Sequence, residues 1–284
     1  MITPSLIAIL QCPDCGGALA QDNVRELACR GCARRYPVTE SGIMCLMPSR
    51  PPALPAAYDD PDYRRMSEFF DDSASYFTEG NLVFKLIHES AHKTIAAWRA
   101  ANGGDGWACD IGCGQGYHYR FWPDRQRVIG IDIRLESLEK LKAAVPDAIL
   151  IQANSCALPL KTGAISVATS IYAFEHIYHL REATAETARI LAPTGRLYMG
   201  LPGEGGLAWT LGRKLTSERT MSRRYNLDYR KYIALEHCNT AAGVVAALEE
   251  RFKVLRRRLF PLPFIPLIDL NLTLALELEK RAEA

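Results

Sequence analysis

The sequence lacks the features that would place the chain in a membrane or in a secreted, disulfide-bonded scaffold. It has no run of about 18 apolar residues that could span a bilayer. The apolar stretch at residues 5–10 is too short for a signal peptide and leads directly into a cysteine motif. Nine cysteines without a secretion signal favour free thiols and metal-bound thiolates over disulfides. We therefore expect a soluble, cytoplasmic protein without a transmembrane segment.

The chain also has very little net charge. Lys and Arg number 34 and Asp and Glu number 32, so the formal charge is +2. That balance excludes a protein that holds nucleic acid by bulk electrostatics, although it is compatible with a local basic patch.

Four of the cysteines form two C-x-x-C pairs near the N-terminus. Cys12 and Cys15 make the first pair, and Cys29 and Cys32 follow after thirteen intervening residues. Tetrahedral zinc takes four soft or borderline ligands, and two such turns supply all of them. Because four protein thiolates leave no position for water or substrate, the pattern predicts a structural Zn²⁺ ion.

The segment around these cysteines, Leu6 to Met47, resembles the small zinc-ribbon proteins that activate tRNA and protein methyltransferases. The resemblance rests on CPDC, CRGC, Tyr36-Pro37-Val38 and Gly42-Ile43. It implies a docking and stabilising module, and with it a protein partner held through the ribbon. Four basic and four acidic side chains balance in this segment, so nothing indicates that it binds RNA alone.

Beyond a proline-rich stretch, apolar runs alternate with segments of helical period, which is typical of an α/β fold with a mainly parallel sheet. We predict a zinc-ribbon domain over 1–47, a Pro-rich linker and bridging segment over 48–80, and a catalytic domain over 81–284. The bridging residues Tyr58 to Phe77 could fold over a bound cofactor. The predicted strands are Trp107 to Ile111, Val128 to Ile133, Ala148 to Gln152, Ile165 to Ser170, Gly195 to Leu201, Phe252 to Leu259 and Leu270 to Leu278.

A glycine-rich loop, Asp110 to Gly116 (DIGCGQG), follows the first of these strands. Glycine tolerates positive φ and has no Cβ, so a ligand can lie close to the backbone. About twenty residues later, the strand VIGID ends in Asp132, which is the spacing of a carboxylate that binds ribose hydroxyls. Asp110, two residues before the first glycine, would repel a pyrophosphate and suits a cationic ligand.

The region Trp107 to Pro202 resembles the class I S-adenosylmethionine-dependent methyltransferases of the small-molecule type. The resemblance rests on DIGCGQG, GIDIRLESL, ANSCALPL and ETARILAPTGRLYMGLP. It implies a Rossmann-like, seven-stranded, mainly parallel sheet with helices on both faces, and S-adenosylmethionine as the methyl donor. The cofactor-binding positions that it implies are Asp110 and Gly112 at the methionine moiety, Gly114 and Gly116 in the same loop, Asp132 at the ribose, Ile133 on the adenine face, and Asn154 and Ser155 at the adenine edge. Asn154 and Ser166 depart from the family, which usually has aspartate at both positions.

Two histidines are candidates for catalysis. Methyl transfer from a sulfonium depends on alignment and desolvation more than on a dedicated base. His176 follows the fourth strand and resembles the E-H-I of the family, where it would contact the acceptor or take its proton. His237 lies in an insert at about 203–239 that we expect to cap the substrate. For either residue, a packing role is the alternative.

The insert also suggests the acceptor. Between Leu211 and Lys231 it carries seven basic residues against two acidic ones. An anionic acceptor would suit it, although a solvated helical face is the alternative. We predict a methyltransferase for a small-molecule, sugar or lipid-linked acceptor. The alternatives are an rRNA guanine methyltransferase, whose usual zinc ligands include a histidine where this chain has Cys32, and a non-catalytic cofactor-binding scaffold that docks a partner through the ribbon.

Three further patterns have simpler explanations. His88-Glu89-Ser90-Ala91-His92 matches the zinc-peptidase pattern H-E-x-x-H, but no third ligand follows at the expected spacing. Arg256 to Arg258 is expected at an exposed sheet edge. The apolar stretch Leu259 to Leu276 is expected to form a loop and a final strand, with membrane contact as the alternative.

Overall fold

The computed structural model describes residues 2–63, 82–102, 106–122, 127–215, 218 and 228–281. It begins with helix α1, Pro4–Ile9, whose first turn is capped by the Thr3 side chain. Strands β1 (Leu19–Asn23), β2 (Glu26–Cys29) and β3 (Arg35–Pro37) then form a small antiparallel sheet.

The remaining strands form one large sheet. They are β4 (Met44–Cys45), β5 (Trp107–Ile111), β6 (Val128–Asp132), β7 (Ile149–Gln152), β8 (Ile165–Ile171), β9 (Leu191–Pro202), β10 (Phe252–Phe260) and β11 (Thr273–Lys280). Within the described ranges the strand order is β10-β11-β9-β8-β5-β6-β7-β4. The pairs from β9 through to β4 are parallel, whereas β11 is antiparallel to both of its neighbours.

This arrangement confirms the predicted Rossmann-like, mainly parallel fold. The chain builds outward from β5 in one direction to β6 and β7, and in the other direction to β8 and β9. A ligand crevice forms where the order reverses, at the carboxyl ends of β5 and β8. An eighth strand, β4, joins the seven that were predicted, and it comes from the N-terminal segment.

Helices cover both faces of the sheet. They are α2 (Leu82–Asn102), α3 (Leu135–Ala144), α4 (Leu180–Ile190), α5 (Leu207–Leu215), α6 (Tyr229–Glu236) and α7 (Ala241–Glu249). Ala275 of β11 clusters with Ile95 of α2, whereas the next residue, Leu276, belongs to the cluster that contains Leu248 of α7. Because successive strand residues point to opposite faces, α2 and α7 pack on opposite sides.

The N-terminal segment is joined to the large sheet by backbone bonds and by a shared core. The Leu46 amide donates to the Gln152 carbonyl at 2.8 Å, extending the pairing of β4 with β7. A second contact is an antiparallel bridge between Leu10 and Leu160. Both leucines are fully buried in the cluster that fills the main domain. The small sheet therefore packs as part of the larger core.

The structure shows where the H-E-x-x-H pattern, the arginine run and the apolar C-terminal stretch lie. His88 and His92 lie on α2, and the four cysteines form the only cluster of potential metal ligands among the described residues. Arg256 to Arg258 are exposed on the edge strand β10, as expected. Residues 261–272 form the loop that leads into β11. No helix in the described ranges has the length and apolarity needed to cross a membrane.

Candidate active site

The glycine loop follows β5 at the point where the strand order reverses. Gly112, Gly114 and Gly116 have φ of +72°, +50° and +70°, a region that side chains rarely adopt. A Cβ on Gly112 would lie 2.4 Å from the Cβ of Ala173, and one on Gly116 would lie 2.4 Å from Leu141 Cδ1. A Cβ on Gly114 would meet nothing within 4 Å. Two of the glycines therefore serve packing, and Gly114 borders open space in which a ligand could lie.

Asp132 ends β6 beside this loop. Its Oδ2 accepts the Gly114 amide at 2.8 Å, and its Oδ1 accepts the Arg134 amide at 2.9 Å. Burial raises the pKa of the Asp132 carboxyl, and the two amide donors oppose that rise. A carboxylate has about four acceptor positions, so each oxygen can still accept a hydroxyl. Asp132 thus fits the two hydroxyls of a ribose.

Asp110 has a different environment from the one that the motif suggested. Its side chain is buried, and its Oδ2 lies 2.7 Å from His118 Nε2. His118 belongs to a 3₁₀ turn, Tyr117–Phe121, immediately after the glycine loop. The pair therefore fastens this turn to the end of β5, beneath the loop.

The residues predicted at the adenine lie beside Asp132. Ile133 leaves 50% of its surface exposed, which is an apolar face that a flat ring could cover. The side-chain Oδ1 of Asn154 accepts the Cys156 amide at 2.8 Å, so part of the acceptor capacity of this side chain stabilises its own loop. Ser155 is half-buried next to it.

The structure brings the two predicted catalytic histidines together, although they lie 61 positions apart in the sequence. The rings of His176 and His237 lie 4.7 Å apart, edge to face. Asn239 holds the two segments together, because its side-chain amide donates to the carbonyls of Phe174 and Ile177 at 3.0 and 2.7 Å.

Hydrogen bonds fix the tautomer of each ring. His176 Nδ1 lies 2.7 Å from the Glu236 carbonyl oxygen, and His237 Nδ1 lies 2.7 Å from Glu204 Oε2. A carbonyl and a carboxylate only accept, so Nδ1 carries the proton in both rings. In the neutral form of either ring, Nε2 is then the acceptor.

Glu204 was not predicted from the sequence, yet it supports His237. Its carboxylate is 8% exposed and also accepts Trp209 Nε1 at 2.6 Å and Arg213 at 2.9 Å. Burial acts to raise the pKa of the Glu204 carboxyl, but the hydrogen bond and charge of His237 and the charge of Arg213 outweigh it, so the pKa lies below its ordinary value. Glu204 is therefore an ionised partner for an imidazolium.

Two further glutamates flank His176. Glu236 accepts the Tyr63 hydroxyl at 2.7 Å and lies 3.4 Å from Arg134. Burial would raise the pKa of Glu236, but the nearby His176, the Tyr63 hydrogen bond and Arg134 bring it below its ordinary value. Glu175 is buried, and burial raises its pKa to about 7. The dipeptide Glu-His occurs at both 175–176 and 236–237, a repetition that could have identified these acids from sequence.

The proline-rich linker crosses this region. Tyr58 donates to the Leu235 carbonyl at 2.8 Å, and Asp60 pairs with Lys231 at 2.7 Å. Both partners lie on α6, whose last residue is Glu236. Residues 64–77 of the predicted bridging segment lie outside the described residues, as do Arg219, Arg223 and Arg224 of the basic insert.

A cavity of about 360 Å³ lies beside His237. Arg213, Lys214 and Arg230 are among its lining residues. Arg213 is paired with Glu204 and Arg230 with Glu218, whereas Lys214 has no ion pair within the described part of the chain.

The four cysteines of the N-terminal segment converge as predicted. Their sulfur atoms all lie within 4.8 Å of one another, with Cys12 3.7 Å from Cys32 and Cys15 3.5 Å from Cys29. A tetrahedron with Zn–S bonds of about 2.3 Å has edges of about 3.8 Å, so the cluster has the dimensions of a zinc site.

Two segments of the chain match known protein families. Residues 109–199 match the methyltransferase domain family, and residues 3–41 match the Trm112p-like protein family. The first match contains the glycine loop, Asp132 and His176, and the second contains all four cysteines. Both predicted resemblances are confirmed.

Among curated proteins, a probable S-adenosylmethionine-dependent methyltransferase of Mycolicibacterium smegmatis is 28% identical over 94 residues, 33% of this chain and 37% of that protein. The chain spans about a third of the length of the first curated relatives that it matches.

Solved structures share the fold. The N-methyltransferase NodS of Bradyrhizobium japonicum WM9, in complex with S-adenosyl-L-homocysteine, aligns with a TM-score of 0.54 and 14% identity, covering 78% of this chain and 100% of that one. A complex of the Haloferax volcanii Trm112 methyltransferase activator with a putative methyltransferase aligns with a TM-score of 0.54 and 17% identity, covering 76% of this chain and 98% of that one.

Proposed function

We propose that this protein is an S-adenosylmethionine-dependent methyltransferase acting on a small-molecule, sugar or lipid-linked acceptor. The observation that carries the proposal is the pair His176 and His237, set between the glycine loop and a cavity. Ala173 packs against Gly112 of that loop, and His176 follows three residues later. His237 lines the cavity. The two rings thus connect a site for the donor with a site for the acceptor.

The residues of the crevice fit the proposed cofactor. Open space beside Gly114 admits a ligand close to the backbone, Asp132 has acceptor capacity for two hydroxyls, and Ile133 offers an apolar face. When bound, S-adenosylmethionine would supply a methyl group on a positively charged sulfur. Asp110 Oδ2 lies 2.7 Å from His118 Nε2, so we assign that oxygen to positioning the loop.

The histidines would serve the acceptor. An O–H or N–H acceptor gives up a proton when it is methylated, and the Nε2 of a neutral imidazole can take it. The ionised Glu204 would hold His237 in the required tautomer and stabilise the imidazolium that results. Glu236 would do the same for His176, through its backbone carbonyl and its nearby carboxylate.

The cavity favours a small, anionic acceptor. A volume of about 360 Å³ is within the range of metabolite sites. Lys214, exposed and without an ion pair in the described part of the chain, would complement a carboxylate or phosphate. These features support a metabolite or a lipid headgroup over an RNA, which needs an extended basic surface.

We also propose that the ribbon serves its own chain. In the Haloferax volcanii complex the activator and the methyltransferase are separate, whereas here both matching segments lie in one chain. The pairing of β4 with β7 and the shared leucine core support an intramolecular docking partner. The ribbon would then stabilise the methyltransferase domain directly.

The test is to incubate the zinc-loaded protein with methyl-labelled S-adenosylmethionine and an extract of its source cells, and to separate RNA, protein, solvent-extractable and small polar fractions. We expect label in the last two fractions. Nuclease-sensitive label would replace the proposal with the RNA alternative. Tight cofactor binding without label in any fraction would favour the non-catalytic scaffold.

The histidine assignment is tested with the identified acceptor. H237Q and E204Q should each lower kcat by at least about tenfold, because loss of a positioned base costs about 10²–10⁴ in rate. The matched control is E250Q, since Glu250 is also paired with an arginine but is exposed and lies outside the site. Equal kcat for E204Q and E250Q would contradict the assignment.

A further inference from the structure

Helix α5 exposes an apolar stripe. Leu207, Leu211 and Leu215 are spaced by four residues, which places them on one face of the helix. They are 71%, 59% and 67% exposed. In a surface helix such an apolar stripe ordinarily packs against the core, whereas in α5 it faces the solvent.

A second apolar element projects from the β10–β11 loop. Phe264 is 96% exposed, and Leu262 and Leu267 are 41% and 54% exposed. The loop is held in shape by Asn271, which is 1% exposed. Its side chain accepts the Leu262 amide at 2.8 Å and donates to the carbonyls of Ile265 and Leu267 at 3.2 and 3.0 Å. The hydrogen bonds of Asn271 thus hold the loop in the conformation that exposes Phe264.

The start of the helix packs against the end of the loop. Gly206, just before α5, packs so closely on the loop that a Cβ would lie 3.1 Å from Asp269 Cα and 3.2 Å from the Ile268 carbonyl oxygen. We call the two elements together the apolar ridge, comprising Leu207, Leu211, Leu215, Leu262, Phe264 and Leu267.

Unpaired cations border the apolar ridge. Lys214 lies on α5, and Arg257 and Arg258 lie on β10 just before the loop, on opposite faces of the sheet. All three are exposed, and no ion pair involves them in the ranges that the structure describes. Asp269 is the one acidic residue of the loop 261–272. An exposed apolar surface with a cationic border is the pattern of an interfacial membrane contact.

We propose that the protein binds the surface of an anionic lipid bilayer through the apolar ridge. The ridge would enter the boundary between headgroups and acyl chains, and Arg257 and Arg258, one on each face of the sheet edge, would contact acidic headgroups on either side of the loop.

The position of the ridge ties it to the site. It lies at the carboxyl end of β9, the edge of the sheet at which His176 and His237 meet. Helix α5 also carries Trp209 and Arg213, which bond Glu204. A protein docked in this way would hold the cavity near the bilayer surface. The inference concerns membrane contact and holds whichever acceptor the cavity takes.

The test is co-sedimentation of the full zinc-loaded chain with vesicles of phosphatidylglycerol and phosphatidylcholine, and with vesicles of phosphatidylcholine alone, without cofactor. We expect binding to the anionic vesicles that weakens with salt. The variant L211Q/F264S should bind at least tenfold more weakly, and R257E/R258E should lose the salt-sensitive part. V24S is the control, because Val24 is also an exposed apolar residue, at 74%, but lies on the ribbon.

Thermal unfolding of each variant checks that the exposed substitutions leave the fold intact. Absence of binding to anionic vesicles, or equal binding of L211Q/F264S and V24S, would overturn the proposal. A dimer in light scattering that L211Q/F264S dissociates would assign the ridge to a second copy instead. None of these readouts depends on methyl transfer, so failure here is distinguishable from failure of the proposed activity.

Discussion

G114A and G116A should affect different properties, ligand binding and stability respectively, although both glycines lie in one loop. Each has positive φ, where alanine costs about 1–2 kcal/mol. At Gly116 the new Cβ would also lie 2.4 Å from Cδ1 of the buried Leu141. Overpacking of that kind costs about 1–3 kcal/mol more. The expected losses of stability are therefore about 1–2 kcal/mol for G114A and about 2–5 kcal/mol for G116A.

Ligand binding should show the opposite order. The methyl group of G114A would project into the open space that we assign to the cofactor, since nothing of the chain lies within 4 Å of it. We expect G114A to weaken binding of S-adenosylhomocysteine by at least about tenfold, which corresponds to about 1.4 kcal/mol. G116A keeps that space clear, so its binding should stay within about threefold of the wild type at temperatures where it is folded.

Thermal unfolding and titration calorimetry with S-adenosylhomocysteine measure the two effects separately. Each kcal/mol should lower Tm by about 2–4 °C in a chain of this size. Binding of G114A at the wild-type level would refute the assignment of this space to the cofactor. A Tm for G116A equal to that of G114A would refute the packing role of Gly116.

Two further predictions concern metal and pH. Chelation of zinc, or C29S, should destabilise the whole chain because the ribbon shares its core with the large sheet. If the starting buffer holds free zinc at a thousand times its Kd, the free energy of unfolding should fall by about 4 kcal/mol, as measured by chemical unfolding. Independent melting of an intact main domain would contradict this. Burial raises the pKa of Glu175 from 4.5 to about 7, so the folded state binds more protons than the unfolded state between these two pH values. The free energy of unfolding should therefore fall as the pH rises through this range, by about 1.4 kcal/mol per pH unit and about 3 kcal/mol in all. E175Q should remove this fall between about pH 5 and pH 8 and E250Q should retain it; an unchanged slope in E175Q would contradict the assignment.

Local patterns predicted most of the large sheet. Trp107–Ile111 has the predicted bounds, and the other strands differ from their predictions by a few residues at their ends. The strand β9 begins at Leu191, four residues earlier than predicted, because the chain pairs with Ile165 before a register shift and resumes pairing at Arg196. Such a shift depends on the partner strand, which a local pattern does not contain.

The eighth strand could not be predicted in the same way. Met44–Cys45 is two residues long, too short for any periodicity. It is a strand only because β7 offers an open edge and because Leu10 and Leu46 bring the ribbon onto the main core. The ribbon and the sheet were recognised separately from their motifs, but their union is a property of the assembled core.

Long-range contacts also limit what the sequence predicts about the candidate site. They explain why the sequence indicated the two histidines but not the acidic residue Glu204. His176 and His237 were identified one by one, from a family motif and from a position in an insert. Glu204 lies 33 positions before His237, and only the folded chain brings their side chains to 2.7 Å. A histidine becomes a base of defined tautomer through such a partner. The sequence could therefore propose which rings act, whereas their protonation states depend on long-range contacts.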